Sequence, residues 1–273
     1  MLLLYSCLLL VRAPALGQTP REPLAGTTPY VYRSIGSLQL DLQVLSPDAS
    51  FAGPRPAIVY FFGGGWNKGS VKQFVPFGEE LTKRGMVSIF VDYRVASRNH
   101  TTPYDAVDDA RAAMRWVKSH ASELGVDPKR IVAAGGSAGG HLALMTTVGP
   151  PEETGTVSSA ASLLIGYNPV ADVRDARWAD RFGAKASTIS PTAHVRPGLP
   201  DTLLFHGEAD TTVPIQQVRD FCAAMVKAGN HCTVSAFEGA KHGFFNVREQ
   251  NKRWYPRVME QTIEFLRKHG YVE

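Results

Sequence analysis

A serine set between glycines, with a buried strand before it and a helix after it, constrains this chain more than any other feature. Arg130-Ile131-Val132-Ala133-Ala134 is an apolar run opened by charge, the pattern of a strand covered on both faces. Gly135-Gly136-Ser137-Ala138-Gly139 follows, and His141-Leu142-Ala143-Leu144-Met145 then reads as helix. Strand, G-x-S-x-G, helix is the setting of a nucleophile elbow. The backbone there is crowded, so the serine needs glycine or alanine beside it. The turn lifts the hydroxyl above the sheet and aims a helix N-terminus at it. Ser137 is therefore read as a nucleophile.

Strand and helix patterns alternate over most of the chain. Tyr30 to Leu45 alternates in the manner of an antiparallel edge hairpin, with Leu38, Leu40, Leu42 and Val44 on one face. Ala57 to Phe62 and Met86 to Val91 are apolar runs that read as buried strands. Val71 to Arg84 reads as a helix interrupted by Pro76 and Gly78. Tyr104 to Leu124 reads as a long amphipathic helix. Further strands are expected at Ala161 to Tyr167, Thr202 to His206 and Thr233 to Phe237, with helices at Gln216 to Lys227 and Tyr255 to His269. This order implies an α/β fold, a doubly wound and mostly parallel sheet with helices on both faces. Ala171 to Pro200 is irregular and is the one stretch able to form a short lid-like excursion.

At 273 residues the chain suits one large α/β domain, assigned to residues 30–273. Met1 to Val11 is nearly all apolar, and Ala13 to Gly17 supplies small residues before Gln18. Residues 1–17 are read as a signal peptide too short to span a bilayer, and residues 18–29 as a linker. The segment departs from the usual pattern, because no basic residue precedes the apolar run and Arg12 follows it. Export to a secreted or periplasmic location is the expectation, with no stable membrane anchor. Cys222 and Cys232 would then remain as an even pair, either bonded across a helix and the next strand or as two buried thiols. Net charge is +4 with the basic residues scattered, so nucleic-acid binding finds no support.

A serine hydroxyl needs a base to take its proton, and that base needs a carboxylate to hold it. His242 follows the last predicted strand and Asp210 follows the strand ending at His206, so both belong to the sheet edge of Ser137. Glu208 is the rival to Asp210 on the same loop. His141 reads as a packed helix residue and His206 as a loop-ordering one. His100, His120, His194, His231 and His269 read as surface or loop positions. No histidine pair has metal-binding spacing, so neither metal nor cofactor is expected. Gly63-Gly64-Gly65-Trp66 follows a strand, and the amides of Gly64 and Gly65 with that of Ala138 form a candidate oxyanion hole. A phosphate loop fails on spacing, since Ser70 stands where lysine is required.

Taken in order, these pieces resemble the alpha/beta-hydrolase esterases related to hormone-sensitive lipase and the bacterial carbohydrate esterases. The matching segments are Phe62 to Trp66, Asp92-Tyr93-Arg94, Asp127 to Ile131, Gly135 to Gly140, His206 to Asp210 with Val213-Pro214, and His242-Gly243-Phe244. The resemblance implies an alpha/beta-hydrolase fold, a triad of Ser137, Asp210 and His242, and an oxyanion hole at Gly64, Gly65 and Ala138. Phe62 departs from it, standing where many relatives have a loop-supporting histidine. The expectation is a serine hydrolase of short acyl esters, with an acetylated carbohydrate as the preferred substrate. The rivals are a serine exopeptidase, with Glu152-Glu153 as its anchor for a peptide amine, and a catalytically inactive binding domain. Trp66, Tyr167, Asn168 and Phe244 are candidates to line the pocket.

Overall fold

The computed structural model describes residues 23–151 and 157–273, so the expected signal peptide, residues 18–22 of the linker and Glu152-Glu153 lie outside the described residues. Eight strands form one sheet in the order β1-β2-β4-β3-β5-β6-β7-β8. They are β1 (Thr28–Ile35), β2 (Leu38–Leu45), β3 (Arg55–Phe61), β4 (Val87–Val91), β5 (Val126–Gly136), β6 (Leu163–Tyr167), β7 (Thr202–Gly207) and β8 (Cys232–Phe237). The hairpin β1-β2 pairs antiparallel at the edge, and β2 also pairs antiparallel with β4. Every other pairing is parallel. Sheet residues begin at Thr28, so the first strand takes in the last two positions expected as linker.

The helices are α1 (Val75–Thr82), α2 (Ala96–Asn99), α3 (Pro103–Ser119), α4 (Ala138–Thr147), α5 (Ala179–Phe182), α6 (Ile215–Lys227) and α7 (Tyr255–Lys268). Alternation along β3 sets the two layers. Ala57, Val59 and Phe61 pack with the apolar faces of α3, α4 and α6, and Ile58 and Tyr60 pack with those of α1 and α7. Pro76 lies in the first turn of α1, where its missing N–H costs nothing, so it opens that helix instead of interrupting it. Gly78 lies under Phe90, where a Cβ would strike the ring. The long helix ends at Ser119, five residues before the periodicity does. Its pattern continues because Ala121 and Leu124 stay buried in the turn that follows, where the Val126 N–H bonds to the Ala121 carbonyl at 2.8 Å.

Cys222 on α6 and Cys232 at the start of β8 are joined by a disulfide, their Cα atoms 5.2 Å apart. Among the described residues no helix is long and apolar enough to cross a membrane. Parallel pairing has one consequence for function. Phe61 pairs with Gly135, Gly135 with Gly166, Tyr167 with Phe205 and Gly207 with Phe237. The loops leaving β3, β5, β6, β7 and β8 therefore all open at one edge of the sheet, where such folds bind ligands.

Candidate active site

Ser137 takes φ 53° and ψ −119° between β5 and α4, a conformation costing a non-glycine residue about 1–3 kcal/mol. Its amide donates to the Tyr167 carbonyl at 2.9 Å, and its own carbonyl accepts from the His141 N–H at 3.0 Å. The following turn passes so close to β3 that a Cβ on Gly139 would collide with the Phe61 and Phe62 carbonyl oxygens. Close approach, more than flexibility, explains that glycine.

His242, from the loop after β8, places Nε2 2.9 Å from Ser137 Oγ and Nδ1 2.7 Å from Asp210 Oδ2. Asp210 Oδ1 accepts from the Thr212 and Val213 amides, each at 2.9 Å. Burial pushes the Asp210 carboxyl up. Hydrogen bonds from His206, His242 and the Val213 amide outweigh that push and hold it well below the usual carboxylate range. An ionised carboxylate can only accept, so His242 Nδ1 must carry the proton. Nε2 is then left with a lone pair for the Ser137 hydroxyl. His206 donates through Nε2 to the Val213 carbonyl at 2.8 Å, which orders the loop as the sequence suggested. Glu208 points outward to Arg219 at 3.4 Å, leaving Asp210 as the carboxylate that meets the imidazole.

The loop after β3 abuts this elbow, since a Cβ on Gly63 would sit 3.3 Å from Ser137 Cβ. The Gly63 amide is already used, donating to Gln73 Oε1 at 2.6 Å. The Gly64 and Gly65 amides have no acceptor among the described residues, and both glycines border the cleft. Ala138 opens α4, where helix geometry leaves the first N–H groups free. Gly64 has φ 135°, and a Cβ there would overlap the Lys68 carbonyl, so a side chain would displace the loop. Phe62, the departure from the resemblance, stacks on Tyr93 at 4.1 Å, and the Tyr93 hydroxyl donates to the Phe62 carbonyl at 2.6 Å. That pair props the glycine loop from below.

Gln73, Asn246 and Asn251 escaped the sequence reading, as did the bracing role of Asn168. Gln73 also donates to Asn246 Oδ1 at 2.8 Å and so ties the glycine loop to the His242 loop. Asn168 Oδ1 accepts from the Gly243 amide at 3.0 Å, bracing the residue next to His242. Asn251 donates to the Gly243 carbonyl at 2.9 Å. Amides scattered over distant loops carry no spacing signature. Only the positive φ of Asn168, at 39°, marks it, and that is a structural signal. Trp66 and Asn168 border the cleft as suggested; Tyr167 and Phe244 are instead core residues, and Phe245 takes the lining position.

His141 is fully buried, accepting at Nδ1 from the Trp66 indole at 3.3 Å and bonding through Nε2 to the Ile189 carbonyl at 2.6 Å. Burial pulls its pKa down to about 4. It is a packed, neutral residue. His231 and His269 both face Asp201, at 3.1 and 2.9 Å, and His100, His120 and His194 are partly or fully exposed. The cleft above Ser137 has a volume of about 750 Å³, and Trp178 and Arg181 of the 171–200 stretch form one side of it. Among the described residues no cluster of His, Cys, Asp and Glu could hold a metal ion.

The fold recurs in known proteins. The family model BD-FAE matches residues 42–163. Esterase 2 of Thermogutta terrifontis, solved in a form phosphoramylated by tabun, is 46% identical and superposes with a TM-score of 0.85. The match covers 92% of this chain and 97% of that one. Esterase LipQ of Mycobacterium tuberculosis is 30% identical over 246 residues, 81% of this chain and 57% of that protein. LipM of the same organism, named a probable carboxylic ester hydrolase, is 32% identical over 199 residues, 64% of this chain and 46% of that protein. The chain spans about half the length of the curated relatives it matches. With a near full-length structural relative at this identity, the sheet order and the elbow have one reading: the chain belongs to the esterases of the alpha/beta-hydrolase fold.

Proposed function

We propose that this protein hydrolyses carboxylic esters with short acyl groups through Ser137, His242 and Asp210, and that it removes acetyl groups from a carbohydrate. The observation that carries the reading is the His242 ring, bonded on one side to Ser137 Oγ and on the other to Asp210. Ser137 Oγ attacks the ester carbonyl carbon as His242 Nε2 takes its proton, and the carbonyl π electrons move onto oxygen. The amides of Gly64, Gly65 and Ala138 receive that oxyanion, each donor worth about 2.7–4 kcal/mol. Asp210 stabilises the imidazolium and keeps its orientation. As the tetrahedral centre collapses, the bond to the alcohol oxygen breaks and His242 returns the proton to it. Water then attacks the acyl-enzyme with its proton going to His242. Expulsion of Ser137 Oγ, reprotonated by His242, leaves a free carboxylic acid and the original serine.

Short acyl groups find support in the Thermogutta esterase, which has been solved with propionate and with butyrate bound. The same protein has been solved phosphorylated by paraoxon, so paraoxon should inactivate this chain by modifying one serine. A disulfide within α6 and β8 fits an oxidising compartment and favours export. The test is a panel of acetylated sugars and p-nitrophenyl esters of increasing chain length, run beside Ser137→Ala. Acetate to butyrate should be the best chain lengths, and the variant should lose about 10⁴-fold or more. Faster turnover of long chains refutes the acyl assignment. Activity persisting in Ser137→Ala refutes the mechanism, and a peptide amide cut faster than p-nitrophenyl acetate returns the exopeptidase.

A further inference from the structure

Among the described residues, every charged side chain that borders the cleft is a cation. Lys68 and Lys72 come from the glycine loop and its continuation, Arg181 from the 171–200 stretch, and Arg248 from the loop after His242. Among the described residues none of the four forms an ion pair, and no aspartate or glutamate borders the cleft. Several arginines elsewhere are treated differently. Arg94, Arg98 and Arg174 sit on carboxylates at 2.8, 2.9 and 2.5 Å. Arg181 instead spends one N–H on the Gly65 carbonyl at 2.6 Å and leans over the Trp66 ring, which leaves the rest of its guanidinium open to the cleft. Two buried donors add to this. Asn168 Nδ2 and Trp178 Nε1 are shielded from solvent and have no acceptor, although both residues border the cleft. The Asn168 amide cannot simply be reversed, because its oxygen is committed to the Gly243 N–H. A cleft bordered by unpaired cations, with two orphan N–H groups just behind its lining and no carboxylate among its described lining residues, complements a ligand rich in oxygen and negative charge.

We infer that the preferred substrate carries an anionic group away from the scissile bond, and that it is an acylated acidic sugar of the uronate class. This rests on the ester-hydrolase reading and narrows it. The chemistry of attack is unchanged, and the charge acts on capture and positioning.

The experiment uses matched pairs. An O-acetylated methyl glucuronoside is compared with the O-acetylated methyl glucoside, and p-nitrophenyl hydrogen succinate with p-nitrophenyl butyrate. The sugar pair puts the charge on the alcohol side and the aryl pair puts it on the acyl side. At low ionic strength the uronate should exceed the neutral sugar about tenfold or more in kcat/KM. That ratio should collapse in about 1 M NaCl, where the screening length is about 3 Å. Lys72→Gln with Arg248→Gln should lower the ratio about tenfold. Lys227→Gln, which removes the same kind of charge on α6 far from the cleft, should leave it unchanged. A ratio near one that ignores salt and both cleft substitutions overturns the inference. Preference confined to the aryl pair overturns the acidic-sugar assignment and moves the charge to the acyl side. Absence of turnover on every ester, charged or neutral, is the separate failure of the esterase reading, and the inference falls with it.

Discussion

The floor and the wall of the cleft are built by different means. The floor consists of the elbow, the glycine loop and the His242 loop, and buried or half-buried bonds between separate segments pin it. Tyr93 holds Phe62, Gln73 holds Gly63 and Asn246, and Asn168 holds Gly243. The wall, residues 171–200, is a run of single-turn helices whose exposed ion pairs are local, Arg174 with Asp172 and Arg177 with Asp175. Local exposed pairs stabilise little, and buried bonds between distant loops fix atomic positions. The floor thus has the rigidity that attack on a carbonyl demands, and the exposed part of the wall, tied down at Phe182, Ile189 and Arg196, is free to vary in what it admits. Substitutions should accordingly act on kcat in the floor and on KM in the wall.

The largest effect is expected at Asp210. Asp210→Asn keeps the shape but can donate to His242 Nδ1, which moves the ring proton to Nε2 and removes the acceptor facing Ser137. A loss of about 10⁴-fold in kcat is expected on p-nitrophenyl acetate. Glu208→Gln, on the same loop but facing outward, should change kcat by less than about twofold. Equal losses in the two variants would mean that the loop, and not the Asp210 carboxylate, is what catalysis needs.

Gly64→Ala comes next, with kcat lower by about 10²–10³-fold, the worth of one misplaced oxyanion donor. A Cβ at φ 135° overlapping the Lys68 carbonyl must shift the loop. KM should move far less than kcat, and an unchanged circular dichroism spectrum with a preserved melting transition would separate this from unfolding.

These two positions also show what could be read before the structure. The elbow, the order serine, aspartate, histidine and the alternation along β3 were legible because each is a local pattern with a fixed period or spacing. The preference for Asp210 over Glu208 had no such pattern behind it, since two carboxylates two residues apart differ only in where the loop points them. Gln73 and Asn246, and the bracing role of Asn168, were invisible for a related reason: those roles exist only once β3, β6 and β8 end at one sheet edge. The length of α3 was overestimated because burial of Ala121 and Leu124 continues the helical period through a turn.

His141 joins floor to wall, since the Trp66 indole bonds one nitrogen and the Ile189 carbonyl the other. Its folded pKa of about 4 lies below the ordinary value of 6.5, so the unfolded chain takes the proton first. Stability is therefore full above about pH 6.5 and falls as the pH drops toward 4, by about 3 kcal/mol over that window. Asp210, held low, adds its own loss only below about pH 4, as its carboxylate protonates. Urea unfolding at a series of pH values checks this. His141→Gln should be less stable at pH 7 and show a flatter profile between 6.5 and 4. An equally steep profile in the variant would place the acid sensitivity elsewhere and leave the seam without its titrating group.

The smallest effect is expected in the wall. Trp178 meets Trp66 edge to face at 5.9 Å and borders the cleft, but makes no bond to the triad or to the candidate oxyanion amides. Trp178→Ala should raise KM about three- to tenfold and change kcat by less than about twofold, with a stability loss of about 1 kcal/mol from the lost ring contact. The split between the two constants matters more than either size. A side chain that only shapes the entrance binds ground state and transition state alike, so its loss appears in KM. If kcat fell as far as KM rose, Trp178 would be holding Trp66 and the Gly65 loop in register for the chemistry. The wall would then belong to the catalytic framework, and the division drawn between the two halves of the cleft would have to be abandoned.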